Sequence, residues 1–178
     1  MIRLFAALAL PPEIAAGLTR RQTGVETARW RPLEALHITL RFFGDIREDV
    51  ARDLDLELAG VGGGPFQIEL AGVGAFGEGR DIHAIWAGVA ENQALSRLAR
   101  ACETAARRAG LKPEGRHYRP HVTLAYLRHA DPAEVAAWIQ ANNLLKSPPI
   151  AVDRFGLYSS FLGSEQAHYR LEAEYPLT

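Results

Sequence analysis

Leu36-His37-Ile38-Thr39-Leu40 and Pro120-His121-Val122-Thr123-Leu124 set down one pattern twice: histidine, a β-branched aliphatic residue, threonine, leucine. The histidines stand 84 positions apart in a chain of 178 residues, close to half its length, and self-similarity at a fixed offset marks an internal repeat. Beyond the motifs, Pro65 matches Pro149, Phe66 matches Ile150, Ile68 matches Val152, Gly72 matches Gly156 and Val73 matches Leu157, all without a gap.

Reading outward from the motifs gives the same order of elements in each half. In the first, residues 2 to 10 read as a strand, and Pro12 with Glu13 opens a helix that has Ile14 and Leu18 on one face. The motif strand takes 36 to 43, a helix with Glu48 and Asp49 in its first turn takes 47 to 59, and a strand takes 66 to 73. In the second half a strand at 82 to 89 precedes a helix at 92 to 109, which aligns Leu95, Leu98, Cys102 and Ala109, carries Arg107 and Arg108 in its last turn and stops at Gly110. The second motif strand takes 120 to 127. Asp131, Pro132 and Glu134 then supply an N-cap, an N1 proline and a capping-box acid for a helix that turns Val135, Trp138 and Ile139 inward. Strands at 150 to 158 and 168 to 175 close the chain. Gly77-Glu78-Gly79-Arg80-Asp81 is the hinge or hairpin between the halves, so the expected molecule is a single bilobal domain over residues 1–178, with a repeat at approximately 1–80 and 81–178.

Hydrophobic residues make up 48% of the chain and charged ones 23%, the balance of a self-folding globular protein. A formal net charge of -1 excludes a broad electrostatic surface for long nucleic acid but leaves room for a small or terminal anion. Cys102 is alone, so no internal disulfide is available and a reducing cytoplasm fits. The apolar run up to Leu10 imitates a secretory signal, but Pro11, Pro12 and Glu13 follow at once, and it reads as a strand. No apolar stretch approaches the ~20 residues of a membrane span. A monomer without an obligate protein partner is expected.

Side chains alternate along a strand. Leu36, Ile38, Leu40 and Phe42 are therefore expected on one face and His37, Thr39 and Arg41 on the other; Val122, Leu124 and Tyr126 oppose His121 and Thr123 in the same way. The apolar faces suit the lobe cores, which leaves both His-Thr faces for a shared cleft. Two imidazoles with ordinary pKa near 6.5 divide acid and base work at neutral pH. That division suits displacement at phosphorus, where an attacking oxygen loses a proton and a departing oxygen gains one. The threonine hydroxyls supply donors for non-bridging oxygens. Such chemistry needs no metal.

Around these residues the chain resembles the two-histidine phosphoesterase superfamily, and within it the RNA 2',3'-cyclic phosphodiesterases, also called 2'-5' RNA ligases. The resemblance covers nearly the whole chain. It is carried by the run from Arg3 to Pro11, by Trp30-Arg31-Pro32 leading into the first motif and Phe43-Gly44-Asp45, by Ile85 to Val89, by His117 to Tyr126, and by Leu157 to Gly163 with Tyr169 and Tyr175-Pro176-Leu177. It implies an α+β fold of two pseudo-twofold-related lobes, each an antiparallel sheet with helices packed on its outer face, and a central cleft carrying His37, Thr39, His121 and Thr123. It also implies opening of RNA or nucleoside 2',3'-cyclic phosphates to 2'-phosphates without metal or other cofactor, with 2'-5' ligation as the reverse reaction. His121 is then the base that activates water and His37 the acid that protonates the departing 3'-oxygen.

One position departs from the resembled pattern: Tyr126 stands where the family usually has an arginine. Arg41, Arg119 or Arg128 would take over its contact with phosphate, Arg41 and Arg119 being favoured by alternation, and Tyr118 is a candidate for stacking on a base. His117 shares a metal-ligand spacing with His121, but Pro120 opposes a helix there, and an extended chain holds the two roughly 13 Å apart. Trp30, Trp86 and Trp138 read as core. Two other readings share the motifs: a non-catalytic module that binds RNA ends, and a phosphoesterase for another cyclic phosphate such as ADP-ribose 1'',2''-cyclic phosphate. Retained histidines favour an enzyme, since binding alone is better served by permanent charge.

Overall fold

The computed structural model describes residues 1–178. In chain order the elements are β1 (Ile2–Ala9), α1 (Pro12–Thr19), β2 (Arg29–Trp30), β3 (His37–Ile46), α2 (Glu48–Ala59), β4 (Phe66–Ile68), β5 (Leu70–Phe76), β6 (Ala84–Val89), α3 (Gln93–Arg108), β7 (His121–Tyr126), α4 (Pro132–Asn142), β8 (Ile150–Val152), β9 (Arg154–Leu162) and β10 (Ala167–Pro176). The fold is α+β. One four-stranded antiparallel sheet runs β10-β9-β1-β3 and carries His37; the other runs β2-β7-β6-β5 and carries His121.

The division into sheets does not follow the division into halves. β5, from the first half, pairs with β6, while β9 and β10, from the second, flank β1. Helices exchange as well: α3 packs on β3, and α4 packs on β5. An offset in sequence reveals which strands are equivalent, not which are neighbours, so this exchange leaves no trace in the motif spacing.

A third, two-stranded sheet makes the pseudo-twofold explicit. β4 and β8 pair antiparallel as Phe66 with Val152, Gln67 with Ala151 and Ile68 with Ile150. Gln67 and Ala151 are themselves equivalent at the 84-residue offset, so the axis passes between them. The long strands expected at 66 to 73 and 150 to 158 break here. Glu69 and Asp153 are the break points, and their carbonyls accept the N–H groups of Ala90 and Leu177, each at 2.8 Å.

Local chemistry accounts for the helices. Asn92 caps α3 by accepting the Leu95 N–H at 2.9 Å, and Asp131 caps α4 by accepting that of Ala133 at 2.9 Å. Leu95, Leu98, Ala99, Cys102, Ala105 and Ala106 form the buried stripe of α3. Burial pushes the Cys102 thiol up to about 12, which leaves it a small hydrophobe. Gly110, at φ +91°, ends the turn after α3. Gly77 is obligatory in the hairpin between β5 and β6, because a Cβ there would lie 2.2 Å from the Asp81 carbonyl oxygen. No helix is long and apolar enough to cross a membrane.

Candidate active site

Both motif strands contain the same irregularity. In the β1–β3 pair, Ala7 opposes Thr39 but Ala6 opposes Arg41, so Leu40 is an extra residue. In the β6–β7 pair, Trp86 opposes Thr123 but Ile85 opposes Ala125, so Leu124 is extra. Such β-bulges reset the alternation. Leu40 and Leu124 stay in the core, the residue after each also turns to the helix side, and Phe42 and Tyr126 return to the cleft side, 55% and 41% exposed.

The bulges correct three expectations. Tyr126 lies on the cleft side and not with Val122 and Leu124 in the core. Arg41 does not share the face of His37: its Nε donates to Glu103 on α3 at 2.5 Å, and its other nitrogens donate to the carbonyls of Phe42 and Lys112. Phe42 does not join the core stripe. Its ring lies 5.6 Å from that of Phe5, which itself sits 4.9 Å from His37.

His37 and His121 are held alike. His37 Nδ1–H donates to the Ala35 carbonyl at 2.8 Å, and His121 Nδ1–H donates to the Arg119 carbonyl at 2.7 Å, in each case two residues back. With Nδ1 as donor, Nε2 carries the lone pair of the neutral ring. Each ring also meets an aromatic edge-on: Tyr169 at 5.2 Å for His37, Phe76 at 4.8 Å for His121.

Their surroundings differ. His37 Nε2 is 3.0 Å from the Thr39 hydroxyl, whereas His121 Nε2 has no protein partner. Burial pushes the His37 pKa down to about 4, and the charges of Arg31 and His121 push the same way. Burial also lowers His121; the Arg119 carbonyl that accepts from Nδ1 opposes the shift, and the Arg119 charge adds to it. The strands that carry the two rings, β3 and β7, lie against one another, and the His121 charge is among those that lower His37. No group of three His, Cys, Asp or Glu side chains is placed to hold a metal ion.

The remaining candidates divide. Arg119 lies beside His121, with its guanidinium 5.5 Å from the Phe76 ring centre. Tyr118 is no free platform: its hydroxyl donates to the Thr39 carbonyl at 2.9 Å and its ring packs on the core, so it braces the two motif segments together. Arg128 is exposed and makes no ion pair. Trp86, expected in the core, borders His121 at 6.2 Å, lying over Gly74, where a Cβ would come within 2.5 Å of the indole.

Arg31 was not among the expected site residues. It is 7% exposed, its Nη2 donates to the Tyr169 hydroxyl at 2.9 Å, and its guanidinium lies over the rings of Tyr126 and Tyr169. The signal lay in Arg29-Trp30-Arg31, where alternation puts Trp30 against the core tryptophan Trp138 and sends both arginines the other way.

Residues 10–160 match the 2'-5' RNA ligase superfamily. An RNA 2',3'-cyclic phosphodiesterase of Archaeoglobus fulgidus is 27% identical over 172 residues, 95% of this chain and 97% of the relative. One of Aeropyrum pernix is 38% identical over 98 residues; that alignment spans 54% of this chain and just over half, 56%, of the relative. The crystal structure of E. coli LigT complexed with 3'-AMP superposes with a TM-score of 0.80 at 27% identity, covering 99% of this chain and 98% of LigT.

Proposed function

The chain belongs to the 2'-5' RNA ligase superfamily, and from that premise we propose that it hydrolyses RNA 2',3'-cyclic phosphate ends to 2'-phosphates, with His37 and His121 as the acid–base pair. The observation that carries this reading is the matched seating of the two rings, each with Nδ1–H tied to the carbonyl two residues back.

His121 Nε2, which has no protein partner, takes a proton from water as the water oxygen attacks phosphorus. The bond from phosphorus to the 3'-oxygen breaks, and His37 returns a proton to that oxygen, which leaves a 2'-monoester and a free 3'-hydroxyl. Both rings are pushed below the usual imidazole range in the free protein. The substrate therefore supplies part of its own catalyst: a phosphodiester anion between the rings favours the imidazolium that the leaving oxygen needs. Thr39 and Thr123 hydroxyls donate to the non-bridging oxygens. By microscopic reversibility the same groups join a cyclic phosphate end to a 5'-hydroxyl through a 2'-5' bond, and in water hydrolysis prevails.

The test is incubation with an oligonucleotide that ends in a 2',3'-cyclic phosphate, with the product monoester identified by 31P NMR. A 2'-phosphate is expected. A 3'-phosphate would move acid and base to the other oxygen, and binding without turnover would make the protein a module for RNA ends.

A further inference from the structure

Arg31 is a buried cation without a counter-anion. None of the molecule's ion pairs includes it, although it is 7% exposed. Taking a charge out of water without pairing it is strongly unfavourable, and proteins rarely keep such a group unless an anion arrives. Its placement is firm. The Arg31 backbone N–H donates to the Leu124 carbonyl at 2.8 Å, and the Gln22 side-chain amide donates to the carbonyls of both Arg31 and Leu124, at 2.9 and 3.1 Å.

The guanidinium spans the cleft. Tyr126 belongs to the sheet of His121 and Tyr169 to the sheet of His37; the guanidinium carbon lies 5.4 Å from the first ring centre and 5.6 Å from the second. Tyr169 in turn meets His37 edge-on at 5.2 Å, and the charge is close enough to lower the His37 pKa. Of five N–H donors, one group is used, by the Tyr169 hydroxyl. The other nitrogens have no protein partner and are not sealed from solvent, so they open to the cleft.

We propose that Arg31 binds the phosphoryl group of the substrate, donating to its non-bridging oxygens from between the two sheets. This assignment rests on the reaction proposed above only for the identity of the ligand as a cyclic phosphodiester; the site itself is one for a phosphate anion. Arg31 differs from Arg119 in being 7% exposed and tied to the Tyr169 hydroxyl, so its remaining donors are held in a fixed orientation before an anion arrives, a condition under which a donor to a developing oxyanion is effective. Tyr126 and Tyr169 keep it there by stacking and by one hydrogen bond, without the carboxylate that would cancel its charge.

The experiment compares the full-length wild type with Arg31→Met, Arg31→Lys and the double variant R31M/Y126R, which returns a cation from the side chain beneath the guanidinium. Three quantities are measured: binding of inorganic phosphate by calorimetry, kcat/KM on 2',3'-cyclic AMP, and Tm. Arg31→Met is expected to weaken phosphate at least tenfold and lower kcat/KM by about 10²- to 10³-fold, with Tm unchanged or raised because an unpaired buried charge is gone. Arg31→Lys keeps the charge but loses the fork and is expected to fall between. R31M/Y126R is expected to recover at least a tenfold part of the loss. Wild-type phosphate affinity and kcat/KM in Arg31→Met would overturn the assignment, as would a drop in Tm in that variant with no recovery in the double one. If the wild type turns over no cyclic phosphate while its phosphate binding depends on Arg31, the site stands and the proposed reaction falls.

Discussion

His37 and His121 occupy equivalent places on equivalent strands, yet they sit in unlike company. Each ring is fixed through Nδ1, each strand bulges one residue after the motif threonine, and each places an aromatic side chain on the cleft two residues further on. The duplicated backbone thus fixes where the rings are. What differs is what surrounds them: Phe5, Tyr169, a threonine hydroxyl and the Arg31 charge around His37, against exposed Arg119 and the rims of Phe76 and Trp86 around His121. Position comes from the repeat, and protonation from its breakdown. In the mechanism proposed above, unlike surroundings are what assign one ring to each role.

The sharpest way to break the comparison is to remove one ring at a time. His37→Ala and His121→Ala are each expected to lower kcat on a 2',3'-cyclic phosphate by about 10²- to 10⁴-fold. The double variant should be little worse than either single one, because the pair acts as a unit. A double variant with wild-type turnover discards the acid–base assignment.

The threonines probe the same asymmetry more gently. Only Thr39 has its hydroxyl at hydrogen-bond distance from its histidine. Thr39→Val is therefore expected to lower kcat more than Thr123→Val, each by about 10- to 10²-fold, and equal losses in steady-state kinetics would remove the distinction.

Titration measures the surroundings directly. Both histidines are lowered in the free protein, so the bell in kcat/KM, which reports free enzyme, should have its limbs below the ordinary imidazole value of about 6.5. The bell in kcat should lie at higher pH, since bound phosphodiester favours imidazolium. Coincident bells would mean that substrate does not pass between the rings. Stability carries the same sign. A histidine near 4 when folded and about 6.5 when unfolded leaves stability unaffected above 6.5 and lowers it as pH falls towards 4, because the unfolded chain takes the proton first. His37→Gln should flatten that part of the urea midpoint's pH profile.

The smallest effect tests Arg41. Held by Glu103 and two carbonyls on the helix side, it should lower Tm by a few degrees when changed to Met and leave kcat/KM within about twofold.

The four motif side chains were legible because alternation is reliable over the first three residues of a strand. Arg41 and Phe42 were not, because Leu40 is bulged out of register and nothing in its own chemistry announces it. The antiparallel sheets, outer helices and cleft could be anticipated from the family resemblance, yet the strand exchange could not. Tyr126 was visible as a missing cation; that the Arg31 guanidinium lies over its ring, reaching in from the residue after β2, required the tertiary packing of a strand only two residues long.

The traded strands have a mechanical consequence. Because β5 completes the sheet of the second motif while β9 and β10 complete that of the first, and β4 is zipped to β8 on the axis, neither half of the sequence builds a whole sheet by itself. Severed in the loop at Gly79, the chain would yield two pieces that each lack part of their own sheet, and neither would hold its imidazole in place until it met the other.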